Sequence, residues 1–287
     1  LRGRTGGTRA ARALAWAALA CLVLAVTPVV PAEAPERVAV AVPPAAGARA
    51  GALPPPPALR TVRPADAVTG ALIPSAGSLV YMPQTGRMMS VVPDVENSVL
   101  VIGDSQAGPQ TWVGQGVEQA GYHAVIRGAG GTGYVRGNGA VSGYARALES
   151  QQWLLPWGTP RLILLQGGGN DTAYPAAEIR AGALRLIGDL RQSYPSARMV
   201  MVGVIGDGTG PRSDVDRVLA AVAREQGISF LTPGDWWARY GLNGELRPDG
   251  RHLSPEGHRV AAEVFGRELA ALVPPAVPQM PPRHAEP

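Results

Sequence analysis

The sequence predicts an α/β protein built on a parallel sheet with helices on both faces. Three observations carry that expectation. From about residue 95 onward, short apolar runs alternate with longer stretches whose apolar residues recur at helical spacing. The runs are continuous rather than alternating, as in strands buried on both faces. Glycine-rich and polar segments follow the runs, where loops at the carboxyl edge of a parallel sheet fall.

Taken in order, SVLVIGDS is the first strand, and a helix is expected from Gln106 to Ala120. YHAVIRG is the second strand, followed by a glycine-rich loop and a helix from about Ala140 to Trp153. RLILLQGGGND is the third, and AAEIRAGALRLIGDLRQSY then places apolar residues on one helical face. ARMVMVGVIG is the fourth strand, with a helix over SDVDRVLAAVAREQG, and ISFLTPG is a short fifth. SPEGHRVAAEVFGRELAALV is the closing helix, opened by a Ser-Pro cap pair. One domain over residues 95–273 accounts for all of these elements, while residues 71–94 add an extended segment or hairpin.

The ends of the chain have a different character. Residues 1–34 run from arginines through the apolar stretch Ala13 to Val30 to PAEA, the order of a secretory signal with an A-x-A cleavage site. Uncut, the same run is barely long enough to anchor the chain in a membrane. Cys21 suits a lipoprotein signal poorly, because apolar residues continue well past it. Residues 35–70 are a proline- and alanine-rich spacer, and residues 274–287 a proline-rich tail. The expected location is therefore exported, secreted or bound to the cell envelope.

All 26 basic residues are arginine, against 22 acids. Four of those arginines and one acid lie in the first 34 residues, so the remainder holds 22 basic and 21 acidic side chains. A near-neutral body lacks the basic stripe that nucleic-acid binding requires. With Cys21 the only cysteine, no disulfide or thiolate metal site is expected. No histidine pair has metal-ligand spacing with a carboxylate, and the absence of lysine excludes a P-loop. No cofactor is implied.

Polar residues gather where the strands end. Gly103-Asp104-Ser105 closes the first, GAGGTG (128–133) the second and Gly168-Gly169-Asn170-Asp171 the third, and DGRHLSPEGH (249–258) precedes the last helix. Each segment alone has a turn or cap reading, and GAGGTG alone invites a dinucleotide one. Together, in this order and spacing, they resemble the SGNH (GDSL-type) serine hydrolase family over about residues 95–272. The resemblance implies a three-layer α/β/α, flavodoxin-like fold around about five parallel strands. It also implies hydrolysis of an ester, usually on a lipid or an acylated carbohydrate. Carried over by position, Ser105 is the nucleophile, His252 its general base and Asp249 the acceptor that orients His252. The backbone N–H groups of Ser105 and Gly131, with the Asn170 side-chain amide, form the oxyanion hole; Gly130 is the rival of Gly131. The chemistry is consistent: a serine hydroxyl needs a base, the base needs an orienting acceptor, and glycines let N–H groups reach a developing oxyanion.

Other residues are less committed. Asp104 and Asp171 are expected to be scaffold hydrogen-bonders, and His123 and His258 structural. Arg127 stands where the family often has asparagine, and Gln106 where it often has leucine; Gln106 either faces the pocket or opens a solvated helix. Trp236, Trp237, Tyr134 and Tyr174 either stack on sugar rings or pack in the core, and Arg251 either meets an anionic substrate or is solvated. The implied function is an exported esterase acting on a short acyl group of a carbohydrate or cell-envelope glycan. A lipase, thioesterase or O-acyltransferase would use the same site. A non-catalytic glycan-binding module is the alternative of another class.

Overall fold

A computed structural model of the chain describes residues 61–62 and 75–273. Residues 1–34, read as an export signal, and the tail lie outside the described residues, as does the spacer apart from residues 61 and 62. Five parallel strands form the main sheet: β4 (Ser98–Gly103), β5 (His123–Gly128), β6 (Leu162–Gln166), β7 (Arg198–Val202) and β8 (Ser229–Leu231), in the order β5-β4-β6-β7-β8. Every residue of β4 and β6 is buried, which is why these runs show no polar alternation.

Successive side chains of a strand point to opposite faces, and the core divides accordingly. Leu100, Ile102, Ile163, Leu165 and Met201 pack under α2 (Tyr144–Glu149), α3 (Ala176–Ser193) and α4 (Gly210–Glu225). Val99, Val101, Leu162, Leu164 and Val202 pack under α1 (Trp112–Gln119), α5 (Trp236–Arg239) and α6 (Pro255–Leu272). The result is the expected three-layer α/β/α sandwich. The strand order reverses at β4, which has β5 on one side and β6 on the other. In such sheets the crevice opens at the carboxyl ends of the strands beside that reversal.

Two helices are shorter than the periodicity suggests. The helix expected from Gln106 begins only at Trp112. Asp104 accepts the Gln106 N–H at 2.9 Å, and the Thr111 hydroxyl bonds back to the Gln106 and Gly108 carbonyls. Those local bonds compete with helix, and Pro109 disfavours it at Gly108. The helix expected over 140–153 covers only Tyr144–Glu149. Asn138 ties up the Ala140 and Val141 N–H groups before it, and Gln151 adopts φ +56° after it. By contrast, α6 starts where expected, with Ser254 accepting the Gly257 N–H at 3.0 Å.

The segment before the domain contains a hairpin. Strands β2 (Leu79–Met82) and β3 (Arg87–Ser90) pair antiparallel, with β1 (Thr61–Val62) parallel to β2. The hairpin is fastened to the main body by a largely buried Arg87–Asp189 ion pair and by the Ser90 N–H bond to the Leu155 carbonyl. Arg127 adds to this by donating to the Leu154 carbonyl and to Ser90 Oγ, which gives it a structural task outside the glycine loop. No helix of the described residues is long and apolar enough to cross a membrane.

Helices α1 and α6 meet closely because glycines face each other. A Cβ on Gly116 would stand 2.6 Å from Phe265 Cδ1 and 3.0 Å from the Ala262 carbonyl oxygen. Gly116→Val should therefore destabilise the protein by about 1–3 kcal/mol, the usual cost of overpacking. Gly188, on the open face of α3, has nothing within 4 Å of such a Cβ. Gly188→Ala should stabilise by about 0.5–1 kcal/mol through helix propensity. Urea-unfolding midpoints should move in opposite directions; a shared direction would contradict this packing.

Candidate active site

Ser105 sits just past β4, half-buried, with its Oγ 2.8 Å from His252 Nε2. His252 Nδ1 lies 2.8 Å from Asp249 Oδ2. The carboxylate can only accept, so Nδ1 carries the proton and Nε2 turns its lone pair to the serine. Asp249 Oδ1 also accepts the backbone N–H groups of Arg251 and His252, at 2.8 and 3.0 Å. The bond from the His252 ring, followed by these two, holds the Asp249 carboxyl well below the usual range although it is exposed to solvent. The three-residue spacing works because Gly250, at φ +63°, closes a tight turn around the carboxylate. Buried Leu253 fixes the loop from beneath, paired with Leu246 across an isolated bridge.

Gln106 is buried and faces the pocket rather than opening a solvated helix. Its Oε1 accepts from the Trp112 indole at 3.2 Å, and its Nε2 donates to the Arg251 carbonyl at 3.3 Å. It lines the pocket and at the same time ties the serine turn to the histidine loop.

The glycine loop lies opposite. Gly130 and Gly131 both line the cavity, Gly131 with φ +78°. The Gly130 carbonyl is held by Asn138 Nδ2 at 2.8 Å. Among the described residues, no acceptor engages the N–H of Ser105, Gly130 or Gly131. Asn170 Nδ2 donates to the Thr132 carbonyl at 2.9 Å, with Asp104 Oδ2 at 3.5 Å, and its residue lines the same cavity. Asp171 is a scaffold residue as expected: buried, it accepts the N–H groups of Tyr134, Val135 and Arg136 at 2.7, 3.2 and 2.9 Å. Ser105, His252, Asp249, Gly131 and Asn170 are thus brought together at the strand ends.

Residues read as ambiguous resolve individually. His258 is buried, and its Nδ1 accepts the Trp112 N–H at 3.2 Å; burial pushes its pKa down to about 4, helped by the nearby Arg247 and His252 charges. His123 is exposed and 3.6 Å from Glu118, so it is a surface residue rather than a buried structural one. Trp236 and Tyr134 are core residues, Tyr174 is exposed but off the cavity lining, and Trp237 is nearly covered. Among the described residues, no three His, Cys, Asp or Glu side chains converge as metal ligands would.

The cavity of about 820 Å³ also holds residues outside the four motifs, including Arg136, Gln166, Asp207, Thr209 and Arg212. Arg212 stands in the first turn of α4, the helix that follows β7, a position that no motif marks.

The family described as GDSL-like lipase/acylhydrolase matches the chain over residues 98–260. No curated protein matches it in sequence. Among solved structures, a family two carbohydrate esterase from Cellvibrio japonicus gives a TM-score of 0.51 at 15% identity, over 64% of this chain and 64% of that one. A family two carbohydrate esterase from Clostridium thermocellum, in complex with cellohexaose, gives 0.50 at 15% identity, over 65% and 67%. The chain spans about two thirds of the length of these proteins, and the likeness is one of fold.

Asp104, at the base of the site, carries a testable cost. Burial raises its pKa from 3.8 to about 6, against the Gln106 N–H bond and the Arg212 charge, which lower it. Below about pH 4 folded and unfolded chains both hold the proton; from there to about pH 6 the unfolded chain releases it first, so stability falls as pH rises. The loss amounts to at most about 3 kcal/mol above that window. Asp104→Asn should raise the melting temperature at pH 7–8, with the gain vanishing near pH 4. A pH-independent difference would remove the buried charge as its cause.

Proposed function

We propose that this chain, which belongs to the GDSL-like lipase/acylhydrolase family and is an ester hydrolase, cleaves a short acyl ester on a carbohydrate through Ser105, His252 and Asp249. The observation that carries the reading is the unbroken relay Ser105 Oγ–His252 Nε2–Nδ1–Asp249 Oδ2, 2.8 Å at each contact. In this reading Ser105 Oγ attacks the acyl carbon as its proton passes to His252 Nε2. The oxyanion meets the Ser105 and Gly131 N–H groups and the Asn170 amide, whose second N–H leaves its long 3.5 Å contact with Asp104. Collapse breaks the ester C–O bond, and the alcohol leaves with the proton from His252. Water, giving a proton to the same nitrogen, then attacks the acyl-enzyme; the carboxylic acid departs and Ser105 recovers its proton. Asp249, kept ionised by its three hydrogen bonds, stabilises the imidazolium and fixes the ring tautomer.

A short acyl group is favoured by the lining. Apart from Val204, Ile205, Pro211 and Trp237 it is polar or glycine, which offers little to a long alkyl chain. Carbohydrate as the carrier is supported by the structural neighbours, themselves carbohydrate esterases. Export is supported by the charged-then-apolar order of residues 2–30, and a glycan at the cell envelope is the substrate this location would offer.

The purified protein should hydrolyse an aryl acetate and be labelled by a fluorophosphonate at Ser105, with both lost in Ser105→Ala. Labelling that survives the substitution would reject the site. Asn170→Ala should lower kcat by about a hundredfold or more, the usual cost of one oxyanion donor. Asp249→Asn should also lower kcat severely, with KM comparatively little changed. His258→Ala should instead lower the melting temperature, because it strips the acceptor from the start of α1, and should spare the turnover of the folded protein. Loss of turnover in folded His258→Ala would assign the base to the wrong histidine.

A further inference from the structure

Three guanidinium groups line the cavity that holds Ser105 and His252: Arg136, Arg212 and Arg251. Among the described residues none of the three forms an ion pair, although surface arginines such as Arg180 and Arg259 do and others such as Arg198 and Arg224 do not. Arg212 is held in place without a direct ion pair. Its Nη1 donates to the Ile205 carbonyl at 2.8 Å, and its Cζ lies 4.8 Å from the centre of the Trp237 ring. The cation sits over the ring, and Nε and Nη2 have no acceptor among the described residues. Trp237 is itself nearly buried with Arg212 over its ring, so it offers no open face to a sugar.

The acids of the cavity offset only part of this charge: Asp104 and Asp207 both act on Arg212, and two carboxylates face three guanidinium groups. Asp207 spends its Oδ1 on the Thr209 N–H and hydroxyl, at 3.0 and 2.9 Å. Asp104 lies buried at the base and is turned to the Gln106 N–H. Thr209 and Gly210, at the start of the 16-residue helix α4, line the wall beside Arg212, and the Thr209 side chain does not cap that helix. Its first N–H groups add positive potential on the same side.

Position says which part of the substrate meets this charge. His252 returns its proton to the leaving oxygen, so the alcohol portion lies on the histidine side, and Arg251 is the residue next to His252. The oxyanion donors lie on the other side. We infer that the alcohol portion of the ester carries an anionic group, a carboxylate or a phosphoryl group, which Arg212 and Arg251 bind while Ser105 attacks the acyl carbon. The substrate class is then an acylated acidic saccharide. This rests on the esterase reading and adds a charge requirement to it.

The test compares kcat/KM of the purified protein for acetyl esters of a methyl hexoside, the matching hexosiduronate and the matching hexoside 6-phosphate, alongside an aryl acetate. At least one anionic ester should exceed the neutral one by about tenfold or more, mainly through KM, as a charge-assisted pair implies. Whichever anion is preferred identifies the group, and the preference should shrink with added salt. Arg212→Gln should bring the ratio to within about twofold, Arg212→Lys should retain part of it, and Arg251→Gln should lower it. Arg251 is exposed, so its variant supplies the answer if Arg212→Gln does not fold. Equal kcat/KM for neutral and anionic esters, or a ratio indifferent to both substitutions, would overturn the inference while leaving the esterase reading standing. Failure to cleave the aryl acetate would bring down the esterase reading, and this inference with it.

Discussion

The placement of β4 between β5 and β6 is the constraint on which the rest depends. Its six residues are all buried, and parallel pairing on both sides fixes where the strand ends. The chain must then leave the sheet at Gly103, with Asp104 and Ser105 emerging at the point where the strand order reverses. Because β6 ends beside it, Asn170 arrives four residues past Gln166 on the same edge. The glycine loop follows β5 on the other side. No loop has to search for its partners, since sheet register delivers three of the four polar segments to one crevice.

Buried aspartates convert that register into exact loop shapes at a cost in stability. Asp104 accepts the Gln106 N–H, Asp171 accepts three successive N–H groups, and Asp216 accepts the Val204 N–H at 2.6 Å and the Thr232 hydroxyl at 3.0 Å. Each carboxyl is pushed up first by its own burial, and each is drawn down in part by the N–H bonds it receives. Glycines make room: a Cβ on Gly133 would lie 2.3 Å from Asp171 Oδ2, and one on Gly203 would lie 2.2 Å from Asp216 Oδ1. The loops are therefore held by acceptors placed inside them, while the N–H groups of Ser105, Gly130 and Gly131 have no acceptor among the described residues.

Much of this was legible in the sequence, for reasons that differ by element. The five strands were legible because burial on both faces requires continuous apolar runs, and α3, α4 and α6 because one-sided packing imposes a helical period. The start of α1 was not, because Asp104 and Thr111 divert the backbone at 106–111 through side-chain bonds that periodicity does not register. The grouping of Ser105, Asn170, Asp249 and His252 followed from short motifs at strand ends. Gln106, Arg136 and Arg212 are matters of tertiary placement. A glutamine that joins the serine turn to a loop 145 residues away has no local signature. Nor has an arginine whose partner, Trp237, belongs to a different helix.

The most solvent-exposed part of the relay is its acid. Asp249 lies in water, where an isolated ion pair with histidine would be worth little. What distinguishes it is that Gly250 folds the chain so that the Arg251 and His252 N–H groups and the His252 ring all meet one carboxylate. Two of those bonds are intrinsic to the turn and persist whichever way the ring points, so the acceptor is already in place before the ring is oriented. The Arg251 carbonyl, bonded to buried Gln106, then fixes the turn relative to Ser105. The His252 ring is oriented by local backbone geometry instead of by burying a charge. The loop can therefore stay open to an incoming ester, and the desolvation cost that Asp104 bears within the body is not paid a second time at the mouth.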